Sequence, residues 1–264
     1  MGTSKRTVIF IHGLWIHSTS WQAWMDFFKG RGYDTLNPGW PGDSDTVAGC
    51  RSNPEPLANR GVKEIADGYA SMISKLSEPP IIIGHSFGGL IVQILMGRGI
   101  AAAGIAIDPA PIKGVWQLPI SALQASLPVL SNPFNLKKTH ALTFDEFNYG
   151  FSNALPEAEA RELFDRWTIP GPCRPLFQVG TATFAGSETK VNTENMTRGP
   201  LLITGGEKDH IAPPILGQAS AAKYNKSVVT DFKLFEGRGH SLILDHGWKE
   251  VAEYSLAWLN KQGL

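Results

Sequence analysis

The sequence predicts an α/β fold, a doubly wound and mostly parallel sheet of about six strands with an inserted, mainly helical cap. Three observations predict it. Short apolar runs alternate with longer helical patterns, which is typical of parallel strands connected by helices. The first run, residues 7–11, is apolar enough for a strand that is buried on both faces. Residues 110–199 interrupt the alternation and contain no clear buried strand.

Composition limits the classes of function. The 264 residues are enough for one large domain, or for one domain with a sizeable insertion. Lysine plus arginine equals aspartate plus glutamate at 24 each, and no long run of either sign occurs. We therefore expect no nucleic-acid partner, because phosphate binding needs a clustered basic surface. Nothing in the composition specifies an oligomeric state.

Export and membrane insertion are not expected from the sequence. The apolar run TVIFI near the start is too short for the core of a signal peptide, and no stretch approaches the length of a membrane span. Cys50 and Cys173 are too few for a disulfide framework and lack the spacing of a metal site. We expect a cytoplasmic protein with free thiols, no metal and no cofactor.

The first half of the chain contains four predicted strands and three predicted helices. After the strand at 7–11, a helix is expected from Ser20 to Lys29, followed by a short strand and a turn-rich, irregular segment at 41–60. The pattern at 62–76 has one apolar stripe, as in a helix on a sheet. The remaining elements are a strand at 81–83, a helix at 87–96 that is apolar nearly all round, and a strand at 102–107.

The second half begins with the interruption. Residues 110–199 carry many prolines and aromatic side chains, and a structureless loop of this length is implausible inside a compact domain. We interpret it as a mainly helical cap between two core strands. A strand in PLLITGGEKDH that ends in Gly-Gly, a helix at 213–223, a strand at 228–235 and a helix at 248–259 complete the predicted chain.

A glycine-rich turn around Ser86 is the first candidate for chemistry. The stretch GHSFG at 84–88 matches the Gly-x-Ser-x-Gly pattern of a nucleophile elbow. Such an elbow turns sharply from strand to helix, and its glycines remove side chains that would clash there. An apolar strand ends just before Ser86 and a buried helix begins just after it. We therefore predict a nucleophile rather than a polar residue in a plain turn.

A serine hydroxyl needs a base that takes its proton and an acid that orients the base. The stretch LFEGRGHSLILD places His240 in a turn after the last strand, and we predict it as the base; the alternative is a solvated loop histidine. His246 is the nearest competitor, but its position beside the last helix suggests a capping or structural role.

The acid is expected on the loop after the preceding strand. The stretch LLITGGEKDHIAP offers Glu207 and Asp209, and we predict Asp209, because the chain has left the sheet at that point. The alternative role for Asp209 is to cap the following helix. Asp108 is the rival acid, since a carboxylate at the end of the adjacent strand could also reach the histidine.

Two backbone N–H groups are needed for the developing oxyanion. Phe87 offers one at a helix N-terminus, where the helix dipole favours negative charge. Gly13, in IHGLW, lets the chain turn so that the N–H of Leu14 can point into the site. Trp15 and His85 are predicted to line the substrate pocket, with core packing as the alternative for Trp15.

The stretches VIFIHGLW, GHSFGG, ITGGEKDHIAP and GRGHSLI, in this order, resemble the α/β-hydrolase superfamily and its serine hydrolase, esterase-like branch. The resemblance spans residues 1–109 and 200–264 as the core, with 110–199 as the cap or lid. It implies a Ser86–His240–Asp209 triad with Leu14 and Phe87 as oxyanion donors. The antiparallel strands that often come first are missing, as in small esterases and hydroxynitrile lyases. Serine at the elbow argues against haloalkane dehalogenases and epoxide hydrolases, which use aspartate.

We therefore predict a serine hydrolase that cleaves a carboxylic ester or lactone of a small to medium apolar substrate through an acyl-enzyme on Ser86. The aromatic-rich cap suggests an apolar pocket. Two alternatives remain open, because a fold does not determine a function. One is a hydroxynitrile-lyase-like or other non-hydrolytic reaction, with Ser86 and His240 as a proton relay. The other is a ligand-binding receptor on a hydrolase scaffold.

Overall fold

The computed structural model describes residues 6–182 and 188–264 of the chain. Its first half alternates strands and helices as the apolar runs predict. In chain order the elements are β1 (Thr7–Ile11), α1 (Gln22–Lys29), β2 (Asp34–Leu36), α2 (Val47–Ser52), α3 (Val62–Ile73), β3 (Ile81–His85), α4 (Phe87–Gly97) and β4 (Ala103–Ile107).

The second half carries several helices before the sheet resumes. In chain order the elements are α5 (Ile120–Leu130), β5 (Thr139–His140), α6 (Phe144–Gly150), α7 (Glu157–Trp167), β6 (Gly171–Pro172), α8 (Arg174–Gly180), β7 (Leu201–Gly206), α9 (Pro214–Ala221), β8 (Thr230–Phe235) and α10 (Trp248–Lys261). The described part of 110–199 is thus mainly helical, and its strands β5 and β6 have two residues each. Its definition as a separate cap remains a prediction.

A six-stranded sheet with the order β2-β1-β3-β4-β7-β8 organises the molecule. Every neighbouring pair in this sheet is parallel, so the predicted doubly wound sheet is confirmed. From β1 the chain moves to one side for β2 and to the other side for β3. In such sheets ligands bind outside the carboxyl ends of the strands at this reversal, which here lies between the ends of β1 and β3.

Apolar side chains cover both faces of the sheet. Ile9 and Ile11 of β1 pack on the face covered by α3 and α4. Phe10 points to the opposite face, where its ring contacts Trp21, Trp24 and Phe28. Successive strand residues point to opposite faces, and a continuous apolar run therefore buries the strand on both sides.

The element boundaries differ from the prediction in a few places. The first helix is preceded by a 3₁₀ turn at Ser18–Trp21, and β8 begins at residue 230 instead of 228. The segment at 41–60, predicted to be irregular, contains α2 and a 3₁₀ turn. Helix α2 forms because the Thr46 hydroxyl accepts a hydrogen bond from the N–H of Gly49 and caps its N-terminus.

A membrane-crossing helix was not expected. In the described ranges, no helix combines the length and the apolarity that a bilayer span requires.

Candidate active site

Ser86 occupies a strained turn between β3 and α4. Its backbone has φ 56° and ψ −120°, a region that residues other than glycine rarely adopt. The end of β4 and the loop after it hold Ser86 in place: its N–H donates to the carbonyl of Ile107 at 2.9 Å, and its carbonyl accepts from the N–H of Ala110 at 3.1 Å. The surrounding structure therefore imposes the conformation, as is common at functional sites.

The glycines on either side of Ser86 allow this turn to pack. A Cβ on Gly84 would lie 2.3 Å from the carbonyl oxygen of Gly88, and a Cβ on Gly88 would lie 2.1 Å from that of Ile11. Both neighbours are backbone atoms, which cannot move without displacing a strand or a helix. The pattern in the sequence thus reflects close contact between backbones.

The Gly88 contact leads to a stability prediction. We expect Gly88→Ala to lower the free energy of unfolding by about 1–3 kcal/mol or more, since the methyl group would overlap the Ile11 carbonyl. Gly68→Ala, within α3, is the matched control, because its Cβ would lie at an ordinary 3.5 Å from the side chain of Pro41. This substitution should raise the free energy of unfolding by roughly 0.5–1 kcal/mol. Urea unfolding measures both; a tolerated Gly88→Ala would contradict the close packing of the elbow.

The candidate base and acid are hydrogen-bonded in the core. Nδ1 of His240 lies 2.6 Å from Oδ2 of Asp209, and both side chains are fully buried. The other carboxylate oxygen, Oδ1, accepts from the N–H groups of Ile211 at 2.7 Å and Ala212 at 2.9 Å. A carboxylate with this role only accepts, so Nδ1 carries the ring proton of neutral His240. Its Nε2 then carries the lone pair that a base requires.

His240 lies directly against the elbow. Its ring centroid is 4.5 Å from that of His85, and its carbonyl oxygen is 2.8 Å from Nε2 of His85, the residue before Ser86. Nε2 of His240 has no hydrogen-bond partner among the described residues, and this includes Ser86 Oγ. Catalytic hydrogen bonds of this type are often long until the substrate binds.

The structure separates the rival acids. Asp108 is fully buried at the end of β4, but its Oδ1 accepts from the N–H of Gly206 at 2.8 Å instead of contacting His240 through a hydrogen bond. Burial raises the pKa of Asp108 well above its ordinary value, and the charge of Asp209 adds to the rise. Glu207 accepts from the N–H of Gly237 at 2.7 Å in an exposed turn. Of the three, Asp209 alone is hydrogen-bonded to the histidine.

The rival base lies elsewhere. The side chain of His246 is 71% exposed and pairs through Nδ1 with Glu159 at 2.9 Å. This pairing joins α7 to the loop before α10, and a capping or structural role for His246 stays a prediction.

A metal site was not predicted. His85, Asp108 and His240 are the only group within residues 6–182 and 188–264 with three close side chains of metal-ligating type, one ligating atom of each lying within 4.8 Å of the others. Nδ1 of His240 is already hydrogen-bonded to Asp209. A metal ion would therefore have to bind Nε2, and it would occupy the lone pair that the base needs beside the elbow. We interpret the group as polar side chains packed around the base.

The predicted oxyanion donors lie at the ends of β1 and β3. The Gly13 backbone abuts Ser86, since a Cβ on Gly13 would lie 2.8 Å from Cβ of Ser86. The N–H of Leu14 donates no hydrogen bond to the described residues. Phe87 is the first residue of α4, where N–H groups have no acceptor within the helix. Both groups are thus available at the nucleophile.

The support for the Leu14 turn is a feature that the sequence analysis missed. Nε2 of His12 is 2.8 Å from Oδ2 of Asp43, and the imidazole stacks on Trp40 with the centroids 4.9 Å apart. The same Asp43 oxygen accepts from the N–H of Trp40 at 2.7 Å. A buried aspartate thus anchors the residue before Gly13. The sequence signal was the presence of two aspartates, Asp43 and Asp45, within the turn-rich GWPGDSD.

A cavity of about 260 Å³ opens beside Ser86. Its walls come from the loop after β4 and from α5, α8 and α9, and the described lining contains no charged side chain. Apart from Ser86, its polar side chains are Gln117 and Ser126. Most of the lining is aliphatic and includes Ile112, Val115, Leu123, Leu176, Val179 and Leu216. The cavity suits an uncharged, apolar group next to the serine.

Two pocket residues predicted from the sequence lie outside this lining. His85 turns beneath the elbow, where it bonds the His240 carbonyl. Trp15, at φ 69°, turns toward residues 110–199, and its Nε1 donates to the carbonyl of His140 at 3.0 Å. The expectation for both was therefore wrong for this cavity, and for Trp15 the alternative of core packing holds.

The aromatic side chains of residues 110–199 mostly pack with one another. Phe147 stacks on Phe151 at 5.1 Å and contacts Phe164, which in turn contacts Phe144. The apolar pocket that the aromatic content suggested is present, but aliphatic residues supply most of its surface.

Comparison with known proteins places this geometry in a wider context. A family model described as the alpha/beta hydrolase family matches residues 8–254. No curated protein matches the sequence.

Several solved structures share the architecture. A monoacylglycerol lipase from Paleococcus ferrophilus aligns with a TM-score of 0.68 at 20% identity, over 97% of this chain and 94% of the lipase. An extracellular alpha/beta-hydrolase from a Paenibacillus species aligns with a TM-score of 0.68 at 18% identity, over 96% and 98%. A methylesterase from Arabidopsis aligns with a TM-score of 0.67 at 12% identity, over 97% and 99%. At these identities the likeness concerns the fold.

Proposed function

Because the chain belongs to the alpha/beta hydrolase family, we propose that it hydrolyses a carboxylic ester or lactone of a small to medium apolar substrate through an acyl-enzyme on Ser86. One observation carries the proposal: the hydrogen bond from His240 Nδ1 to Asp209 leaves the Nε2 lone pair beside the serine elbow. The same ring arrangement activates a serine in unrelated hydrolases. The esterase and lipase neighbours add support at the level of the fold.

The first half of the reaction acylates the serine. Ser86 Oγ attacks the carbonyl carbon while Nε2 of His240 takes the hydroxyl proton, and the new oxyanion accepts hydrogen bonds from the N–H groups of Leu14 and Phe87. Asp209 stabilises the resulting imidazolium. The tetrahedral intermediate collapses when the carbon–oxygen bond to the alcohol breaks, and His240 returns the proton to the departing oxygen.

The second half removes the acyl group. Nε2 of His240 takes a proton from water, whose oxygen attacks the acyl carbon. The bond to Ser86 Oγ then breaks, His240 returns the proton to the serine, and the carboxylic acid leaves. In a lactone the departing alcohol remains part of the same molecule as the acid. The chemistry uses protons and water alone.

The cavity supports an apolar substrate. Transfer of a methylene group from water into such a lining contributes about 0.8 kcal/mol, which is up to about fourfold in kcat/KM. A charged substituent there would lose its hydration without gaining a partner, since the described lining is free of charged side chains.

We therefore expect p-nitrophenyl hexanoate to exceed the acetate ester in kcat/KM, and Leu123→Asp to remove most of that advantage. Leu123 lines the cavity and is also partly exposed, so the variant should fold. Leu127→Asp, on the same helix but outside the lining, is the matched control and should retain the wild-type ratio. Equal ratios in all three proteins would contradict the placement of the substrate in this cavity.

A screen of esters, lactones, thioesters and amides, combined with mass spectrometry of the quenched protein, tests the proposal. A hydrolase should accumulate an acyl group on the peptide that contains Ser86 and should react with a fluorophosphonate probe. A lyase would form product without an acylated serine, and a receptor would bind a ligand without product. Either outcome would replace the proposal.

The compartment stays a prediction. Cys50 and Cys173 are both buried and unpaired, which supports the expected cytoplasmic location with free thiols. Labelling of the protein with a thiol reagent, before and after unfolding, measures whether both thiols are reduced in protein isolated from cells.

A further inference from the structure

Asp108 is a buried acid that the proposed mechanism does not use. It is fully buried at the end of β4, and its backbone has φ 44°. Its Oδ1 accepts from the N–H of Gly206 at 2.8 Å, whereas its Oδ2 has no hydrogen-bond partner in the described parts of the chain. A buried polar oxygen without a partner is costly, and its chemical state therefore needs an explanation.

His85 has the complementary arrangement. Its Nε2 is 2.8 Å from the carbonyl oxygen of His240, and because a carbonyl only accepts, Nε2 must carry a proton. Burial lowers the pKa of His85 well below its ordinary value, with an added effect from His240, so the ring is neutral. In a neutral ring with Nε2–H, Nδ1 is an acceptor. This Nδ1 is also buried and has no partner among the described residues.

We propose that Asp108 is protonated and donates a hydrogen bond from Oδ2 to Nδ1 of His85, and that this neutral pair positions the loop of His240. A ring nitrogen of His85, a ring nitrogen of His240 and a carboxyl oxygen of Asp108 all lie within 4.8 Å of one another. This proximity brings the Asp108 carboxyl group close to the His85 ring, and the proposed bond requires Oδ2 to turn toward Nδ1. The positioning role rests on the proposed function of His240.

The charges around Asp108 favour its neutral form. Burial raises the pKa of Asp108 most, and the nearby carboxylates of Asp209 and Asp245 raise it further. The Gly206 N–H and the Arg238 guanidinium act in the opposite direction, but Arg238 is itself paired with Asp245. Of two close carboxyl groups, one is commonly kept protonated.

The chemistry of the base points the same way. A second negative charge beside His240 would favour its protonated ring, in which Nε2 could not accept the Ser86 proton. One ionised carboxylate, Asp209, is enough to stabilise the imidazolium that forms during the reaction. A neutral Asp108 leaves the base free while it holds His85, which holds the His240 carbonyl. It is therefore a positioning residue that acts through another side chain.

Two substitutions at one position test the positioning role. In Asp108→Asn the amide oxygen can accept from Gly206 and the amide nitrogen can donate to His85, so most of the kcat should be rescued. Asp108→Leu removes both bonds and should lower kcat more than about tenfold with a smaller change in KM, because the base is displaced. If Asp108→Asn instead loses activity as severely as Asp209→Asn, Asp108 is an ionised acid and the proposal fails.

The pH dependence of the stability of wild type and of Asp108→Asn tests the protonation state of Asp108 without any substrate. Below the pKa of an unfolded aspartate, about 3.9, both states bind the proton. Above this pKa the folded protein retains a proton on Asp108 that the unfolded chain has lost. The contribution of Asp108 to the free energy of unfolding therefore falls as the pH rises, until the pH reaches the raised pKa of Asp108 in the folded protein. Asparagine lacks this dependence. The free energy of unfolding of Asp108→Asn, relative to wild type, should therefore increase from about pH 4 toward neutral pH.

The exposed Asp34→Asn is the control and should show no such trend. A relative stability of Asp108→Asn that stays constant or decreases over this pH range would overturn the protonated state. Because urea unfolding needs no turnover, this result stands even if the protein proves to have no esterase activity. Failure of the inference is thus distinguishable from failure of the proposed function.

Discussion

Ser86→Ala is expected to lower kcat for a carboxylic ester by roughly 10⁶-fold, the scale seen when the nucleophile of a serine triad is removed. The hydroxyl is the only group of the site that forms a bond to the substrate in the proposed mechanism. Residual hydrolysis should come from the two oxyanion N–H groups and from substrate binding. Labelling by a fluorophosphonate probe should disappear together with turnover.

The variant should fold normally, because the strained turn is held by backbone hydrogen bonds to Ile107 and Ala110 that alanine retains. Ser71→Ala, on the exposed face of α3, is the matched control and should keep wild-type turnover and labelling. If Ser86→Ala retained even a few per cent of the wild-type kcat, the acyl-enzyme mechanism would have to be abandoned.

Asp209→Asn is expected to lower kcat by about 10⁴-fold with little change in the fold. The amide oxygen can still accept from Ile211 and Ala212, but the amide nitrogen is a donor and would face Nδ1 of His240. The ring would then place its proton on Nε2, where it cannot accept the proton of Ser86. The substitution therefore removes the base by changing the tautomer.

Kinetics of Asp209→Asn over a range of pH measure this effect, with Asp34→Asn as a control for the loss of a carboxylate at an exposed position. The KM should change less than kcat, since Asp209 does not line the cavity. Near wild-type turnover in Asp209→Asn would remove this residue from the triad and return the acid role to Asp108.

The nucleophile region could be predicted from the sequence because its signal is local. Gly84 and Gly88 are needed where a side chain would overlap backbone atoms within a single turn, and an apolar strand and an apolar helix adjoin that turn. The strands were equally readable, since a strand buried on both faces must be apolar throughout, as residues 81–83 and 201–203 are.

Contacts between distant segments could not be predicted in this way. Asp43 supports the turn after β1 through His12, 31 positions earlier, and the spacing of such a pair follows no helical or strand period. Trp15 and His85 were expected in the pocket because they adjoin site residues. The backbone conformation of Trp15 turns its side chain away from the pocket. His85 is held away from the pocket by its hydrogen bond to the carbonyl of His240.

By itself the sequence determined the α/β class, the strand order along the chain and the positions of the serine, the histidine and the acidic candidates. Hydrophobic periodicity and glycine spacing encode these features within a few neighbouring residues. Only the tertiary structure decided which carboxylate bonds the histidine, because Asp108 and Asp209 both follow strands that end at the same edge of the sheet. The choice depends on the orientation of two loops: one presents Asp209 to Nδ1 of His240, and the other turns Asp108 toward Gly206.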